Sequence, residues 1–312
     1  MKKRIILVIS TLILLAAVPV MGAEQLKLML DWFPNVDHLP IYLAQESGYF
    51  KDQGLTVEII TPSETSDGLK LAAAGQVDLA VSYQPQTIIA ADQGLDLKAV
   101  APLVIHPLTT LLFLDKTIKT PADLSGKNIG YTVPGLMDVL LHAFANLNGV
   151  KNYTPINVGF TILPALVSGK VDAVMGPFKT YETVVMKQQG YTARFFELEN
   201  NGIPDYEELI FVAGSKTLAK KEAAIHKFTK AIQLAMAQLE TDPTTALKLY
   251  LKAVPEADAN VETAAFELTR PYFAGQNSHD PAKWQAFADF ALTYGLIKNH
   301  VDTAGLIHTW HE

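Results

Sequence analysis

Two stretches of this chain repeat one another: "LAAAGQVDLAVSYQP" (71–85) and "PALVSGKVDAVMGPF" (164–178) align with Gly75 on Gly169, Val77 on Val171 and Asp78 on Asp172. In each, an amphipathic stretch stops at a glycine, an apolar run follows, and polar or aromatic residues stand at its far end. That order reads as helix, turn, strand and functional loop. The copies lie 94 residues apart, about one lobe's worth of chain. The repeat therefore predicts two similar α/β units, and 312 residues suffices for both.

The flanking sequence fits the same plan. Strands are predicted at Leu26–Leu30, Thr56–Ile60 and Val77–Val81, and helices at Leu39–Gln53, Asp67–Ala74 and Pro85–Gln93, with glycines closing the helices. "LSGKNIGYTVPG" (124–135) opens the second unit, which continues to "ARFFEL" (193–198). From Glu207 the pattern is mostly helical, at Lys220–Glu240, Thr244–Lys252 and Pro281–Tyr294. These helices are expected to return over the first lobe. The expected division is a signal at 1–23, lobe one at 24–110, lobe two at 111–205, and a return at 206–312. Connecting segments are placed near Leu108–Leu114 and Ile203–Val212. Open sheets bind ligands at the C-terminal ends of parallel strands, so two facing lobes define a shared cleft.

The start reads as an export signal: Lys2, Lys3 and Arg4 precede an apolar run from Ile5 to Leu15, then Pro19 and the small residues Gly22 and Ala23. The competing reading is an uncleaved anchor. Removing 1–23 takes three of 25 basic and none of 32 acidic residues, leaving a net charge of −10. Such a balance disfavours nucleic acid and anionic lipid. The absence of cysteine excludes disulfides, thiolate metal sites and a lipoprotein anchor. A soluble periplasmic protein, monomeric and without stable membrane insertion, is expected.

Candidate binding residues cluster at strand ends. "DWFPNVDH" (31–38) sets Trp32 beside Asp31, Asn35, Asp37 and His38, an aromatic wall with hydrogen-bonding groups suited to a flat polar ring. Equally open is that Trp32 and Phe33 pack in the core while Asp37 caps a helix. "SYQP" adds Ser82, Tyr83 and Gln84; "GPFKTYE" adds Phe178, Tyr181 and Glu182; "NNGIPDYEE" adds Tyr206. No GxSxG elbow, Walker loop or HExxH motif occurs, and "HTWH" (308–311) lacks a third metal ligand. No catalytic residue, cofactor or metal is predicted.

"LDWFPNVDHLPIYLAQESGYFKDQGLTVEI" (30–59), "GQVDLAV" (75–81), "LSGKNIGYT" (124–132), "GKVDAVMG" (169–176) and "GIPDYEEL" (202–209) together resemble the thiamine-pyrimidine branch of periplasmic binding proteins. These receptors of ABC importers share a family with sulfonate, taurine and nitrate binders. The resemblance implies a type II binding-protein fold, mixed sheets flanked by helices, and a cleft between the lobes. It further implies a formylaminopyrimidine- or hydroxymethylpyrimidine-type ligand and, as partners, a permease with its ATPase. In the implied pose Trp32 and a tyrosine sandwich the ring, while Glu182 meets the exocyclic amine. Asn35, Ser82, Tyr83 and Gln84 read the remaining edge, Tyr206 closes over it, and His38 and Phe178 are counted among the binding residues. The runner-up ligand is an anion such as a sulfonate. The same family includes a thiamine-pyrimidine synthase, whose pyridoxal-bonding lysine and sacrificial histidine fall at Ser82 and Gln86 here. That departure argues for a receptor rather than the enzyme.

Overall fold

A computed structural model describes residues 23–275 and 278–310; the predicted signal lies outside the described residues except for Ala23. Among the described residues ten strands run in chain order as β1 (Glu24–Met29), β2 (Leu55–Ile60), β3 (Leu79–Ser82), β4 (Leu97–Val104), β5 (Thr109–Phe113), β6 (Asn128–Tyr131), β7 (Thr154–Asn157), β8 (Ala173–Phe178), β9 (Arg194–Glu197) and β10 (Leu209–Gly214). They form two five-stranded sheets of one plan, β2-β1-β3-β10-β4 and β7-β6-β8-β5-β9. In each, three parallel strands are joined by an antiparallel strand from a lobe crossing, β10 in the first and β5 in the second.

The sequence repeat has a structural cause. Helices Asp67–Ala73 and Ile162–Val167 end at Gly75 and Gly169, whose φ of 68° and 71° is left-handed backbone that favours glycine. The aspartate that follows ties the new strand to its neighbour. Asp78 Oδ2 accepts from the Lys27 N–H at 2.9 Å, and Asp172 Oδ2 accepts from the Asn128 N–H at 2.9 Å.

Two expectations are corrected. Leu209–Gly214 lies in the region read as mostly helical, yet it is a central strand with all six residues buried. A strand covered on both faces is a continuous apolar run without alternation. The crossings also fall earlier than predicted, between Val104 and Thr109 and between Glu197 and Leu209, because 109–113 and 209–214 are themselves strands.

The C-terminal helices Ser215–Thr241, Pro243–Ala253, Ala259–Thr269 and Pro281–Thr293 return to the first lobe. One large apolar cluster runs through the first lobe and the crossings into the second. A smaller one around Leu112, Val158, Val174 and Met186 covers the other side of the second sheet. Among the described residues no helix is long and apolar enough to cross a membrane.

Candidate ligand cleft

The parallel strands of both sheets deliver their C-terminal ends to one place. β1 leads into 31–38, β3 into Tyr83, β6 into Thr132, and β8 ends at Phe178 just before helix Glu182–Gln188. Between them lies a narrow cavity of about 20 Å³, walled by Asp31, Trp32, Asn35, Asp37, His38 and Tyr83 from one lobe and by Thr132, Ile162, Gly176, Phe178 and Glu182 from the other. None of the lining residues is Lys or Arg. Gly176 has φ 125°, and a Cβ there would sit 1.9 Å from Thr132 Oγ1, so only glycine lets Thr132 pack against β8 at this wall.

The loop after β1 is built by its own polar groups. Asn35 caps the turn Val36–His38, its Oδ1 accepting from the Asp37 N–H at 2.8 Å; Asp37, weighed above as the cap, is left to face the cavity. The Asn35 N–H points to His38 Nδ1 at 3.4 Å, which assigns the ring proton to Nε2, 2.8 Å from Asp31 Oδ1. The Tyr83 hydroxyl donates to Asp31 Oδ2 at 2.7 Å. Burial and the adjoining Asp31 push the Tyr83 phenol well above its ordinary range, so it stays a neutral donor. Both oxygens of Asp31 are thereby occupied.

The other two carboxyls are less well satisfied. Asp37 is buried; Oδ1 accepts from the Thr269 hydroxyl at 3.1 Å, and Oδ2 has no hydrogen-bond partner among the described residues. Burial pushes its pKa up to about 8, against the pull of His38 and Thr269 and with added push from Glu182 and Asp31. Half-buried Glu182 accepts from the Phe178 N–H at 2.6 Å, yet desolvation still raises it to about 7. The cavity thus offers one carboxyl held as an acceptor, Glu182, and another, Asp37, with an oxygen left free for a ligand.

Aromatic rings form the rim. Trp32 meets Phe160 of the opposite lobe edge-on, with centroids 4.6 Å apart, and Phe33, 49% exposed, packs 4.5 Å from the same ring. Tyr181 lines an adjoining apolar groove with Leu163, Val185 and Met186. Its hydroxyl donates across the lobes to Glu262 at 2.8 Å.

Of the predicted site residues, Trp32, Asn35, His38, Tyr83, Phe178 and Glu182 meet at the cavity and Tyr181 lies beside it. The remaining three face elsewhere. Ser82 donates to Gln86 at 2.9 Å. Gln84 accepts from the Glu207 N–H at 2.8 Å and donates to the Lys283 carbonyl. Tyr206 is buried edge-on against Phe287, its hydroxyl 3.3 Å from Glu208. These contacts consolidate the crossings, where Glu208 accepts from the Leu108 and Thr109 N–H groups at 2.6 and 2.7 Å. Thr132, Ile162 and Gly176 also line the cavity, and nothing in a Thr after a strand, an Ile opening a helix or a Gly within a strand marks it as cavity-lining in the sequence. Among the described residues no group of His, Asp and Glu is arranged to hold a metal ion.

The model of the family described as NMT1/THI5 like matches residues 35–246. A Haemophilus influenzae protein named for thiamine biosynthesis is 36% identical, over 91% of each chain. The formylaminopyrimidine-binding protein of Halalkalibacterium halodurans is 32% identical over 75% of this chain and 72% of its own. A 4-amino-5-hydroxymethyl-2-methylpyrimidine phosphate synthase of Saccharomyces cerevisiae is 28% identical over 89% and 85%. Among solved structures, the alkanesulfonate-binding protein SsuA of Xanthomonas axonopodis pv. citri, bound to MOPS, superposes with a TM-score of 0.73 at 18% identity, over 91% of this chain and 98% of that one. The fold is that of a periplasmic binding protein.

Proposed function

We propose a receptor role from one premise: this chain belongs to the NMT1/THI5-like family. In that role it captures a thiamine-precursor aminopyrimidine, of the formylaminopyrimidine or hydroxymethylpyrimidine type, in the periplasm. It then presents the ligand, as a monomer, to an ABC permease and its ATPase. The observation that carries this reading is the cavity itself, with three carboxyls, an aromatic rim and no lysine or arginine among its lining residues. Carboxyls suit the exocyclic amine and ring nitrogens of an aminopyrimidine, and Trp32 supplies a face for the ring.

Both alternatives meet that same wall. A sulfonate or phosphate brings negative charge and acceptors only, and in this cavity it finds no lysine or arginine and meets the acceptor carboxyl of Glu182. A synthase of the yeast type needs a lysine for pyridoxal phosphate; the position assigned to it holds Ser82, which is bonded to Gln86 and outside the cavity. The test is a thermal-shift screen against 4-amino-5-hydroxymethyl-2-methylpyrimidine, its formylamino analogue, taurine, MOPS and pyridoxal phosphate. A ligand bound only by the folded state raises the melting temperature. Stabilisation by the pyrimidines alone supports the proposal; stabilisation by a sulfonate alone replaces it with the anion receptor.

A further inference from the structure

We infer that Asp37 is a second recognition residue of the cleft: in its protonated form it donates to a ring nitrogen of a neutral aminopyrimidine while Glu182 holds the amine from the facing lobe. This rests on the aminopyrimidine reading above. Asp37 is only 1% exposed, lines the cavity, and spends one oxygen on Thr269 while Oδ2 finds no partner among the described residues. A buried carboxyl oxygen without a donor is costly as an anion and settles as a proton carrier.

The surroundings reinforce that state. From its own loop Asp37 faces His38 and Asp31, and from the second lobe Glu182. Asp31 adds negative potential but has both oxygens taken by His38 and Tyr83. Behind the loop, Glu262 accepts from Tyr181 at 2.8 Å and Tyr250 at 3.1 Å, so both its oxygens are occupied. Glu182 already accepts from the Phe178 N–H, which fixes it as the acceptor, whereas Asp37 Oδ2 has no donor among the described residues and burial pushes that carboxyl up to about 8, so Asp37 is the O–H donor of the two. One donor and one acceptor on facing walls complement a diazine, which offers a ring-nitrogen acceptor and an amine donor on separate edges. A sulfonate offers acceptors alone.

The experiment is calorimetric titration with 4-amino-5-hydroxymethyl-2-methylpyrimidine between about pH 7 and pH 9.5. If the bound form needs the Asp37 proton, wild-type affinity falls about tenfold per pH unit above 8. Asp37→Asn keeps an N–H donor at every pH, so it loses this slope and binds about tenfold tighter than wild type at pH 9.5. Asp37→Leu, with no donor, binds at least about tenfold more weakly at pH 7. A flat wild-type profile, or an Asn variant that keeps the slope, overturns the role of Asp37 while leaving the receptor intact. Failure of the wild type to bind the pyrimidine at any pH removes the aminopyrimidine reading, and this inference with it.

Discussion

Trp32 reaches from the end of β1 to the small apolar cluster of the opposite lobe, so it is both a rim residue and a bridge. If its face stacks on the ligand, Trp32→Ala costs about 1–3 kcal/mol, the range for base–aromatic stacking, or roughly ten- to hundredfold in Kd. Circular dichroism should stay native, because Trp32 is only half-buried; a cooperative loss of structure would instead make it a core residue. The carboxyls carry a second consequence. Folded-state pKa values are raised to about 8 for Asp37 and about 7 for Glu182 and Glu208, all by burial. Between the unfolded and folded values the unfolded chain holds fewer protons, so stability falls as pH rises. That stability is fully present below about pH 4 and is lost through pH 7–8. Asp92, Asp115 and Asp242 are lowered by hydrogen bonds and oppose the trend only at the acid end. The melting temperature of the ligand-free protein should therefore decline from about pH 5 to pH 8, less steeply in Asp37→Asn. A melting temperature that climbs over that interval contradicts the burial assigned to these groups.

At the scale of elements, the repeated Gly-x-Val-Asp unit was legible because its causes are local: a left-handed glycine stops a helix, and an aspartate three residues later starts a strand. Its two copies are not equally loaded. The Asp78 side chain is 15% exposed and pairs with Lys221 at 2.9 Å, whereas Asp172 is 42% exposed and its nearest lysine, Lys127, is 3.8 Å away. Asp78→Ala should cost about 1–2 kcal/mol in urea unfolding and Asp172→Ala less, since a stranded N–H is dearer where water cannot reach it. Equal or reversed losses would show that the bond to the neighbouring strand is not what the motif contributes. What stayed illegible depends on distant partners. β10 hides as an apolar run until both faces are seen to be covered. The predicted helix Leu39–Gln53 is two helices, parted at left-handed Gly48. The loop 31–38 could be read as a site because its residues are consecutive. Gln84 and Tyr206 line the crossing and not the cavity, a difference hidden in the sequence because a polar or aromatic residue at a strand end looks the same in either place.

For the whole molecule, the cavity walls come from both lobes, so the proposed receptor role calls for the lobes to part and close about the crossings. Glu208 binds one crossing to the other through two backbone N–H groups and the Thr109 hydroxyl, and Lys283 pairs with Asp205 at 2.8 Å. The Thr65 hydroxyl donates to the Thr132 carbonyl at 2.7 Å on one side of the cleft, and Tyr181 donates to Glu262 on the other. Burial and Glu262 hold the Tyr181 phenol above its ordinary range, so it remains a donor across the physiological range. These bonds exist only when the lobes meet, and their loss should speed opening more than it slows encounter. Tyr181→Phe is expected to raise the dissociation rate about two- to tenfold, the equivalent of one hydrogen bond of about 0.5–1.5 kcal/mol, with little change in association. Because Tyr181 also adjoins the ligand cavity, Thr65→Val is the cleaner companion: its hydroxyl closes the rim and its side chain lines no part of the cavity. Stopped-flow fluorescence separates the two rates. If both variants change association and leave dissociation alone, the rim bonds steer the ligand in rather than hold the lobes shut, and closure must draw its energy from the ligand itself.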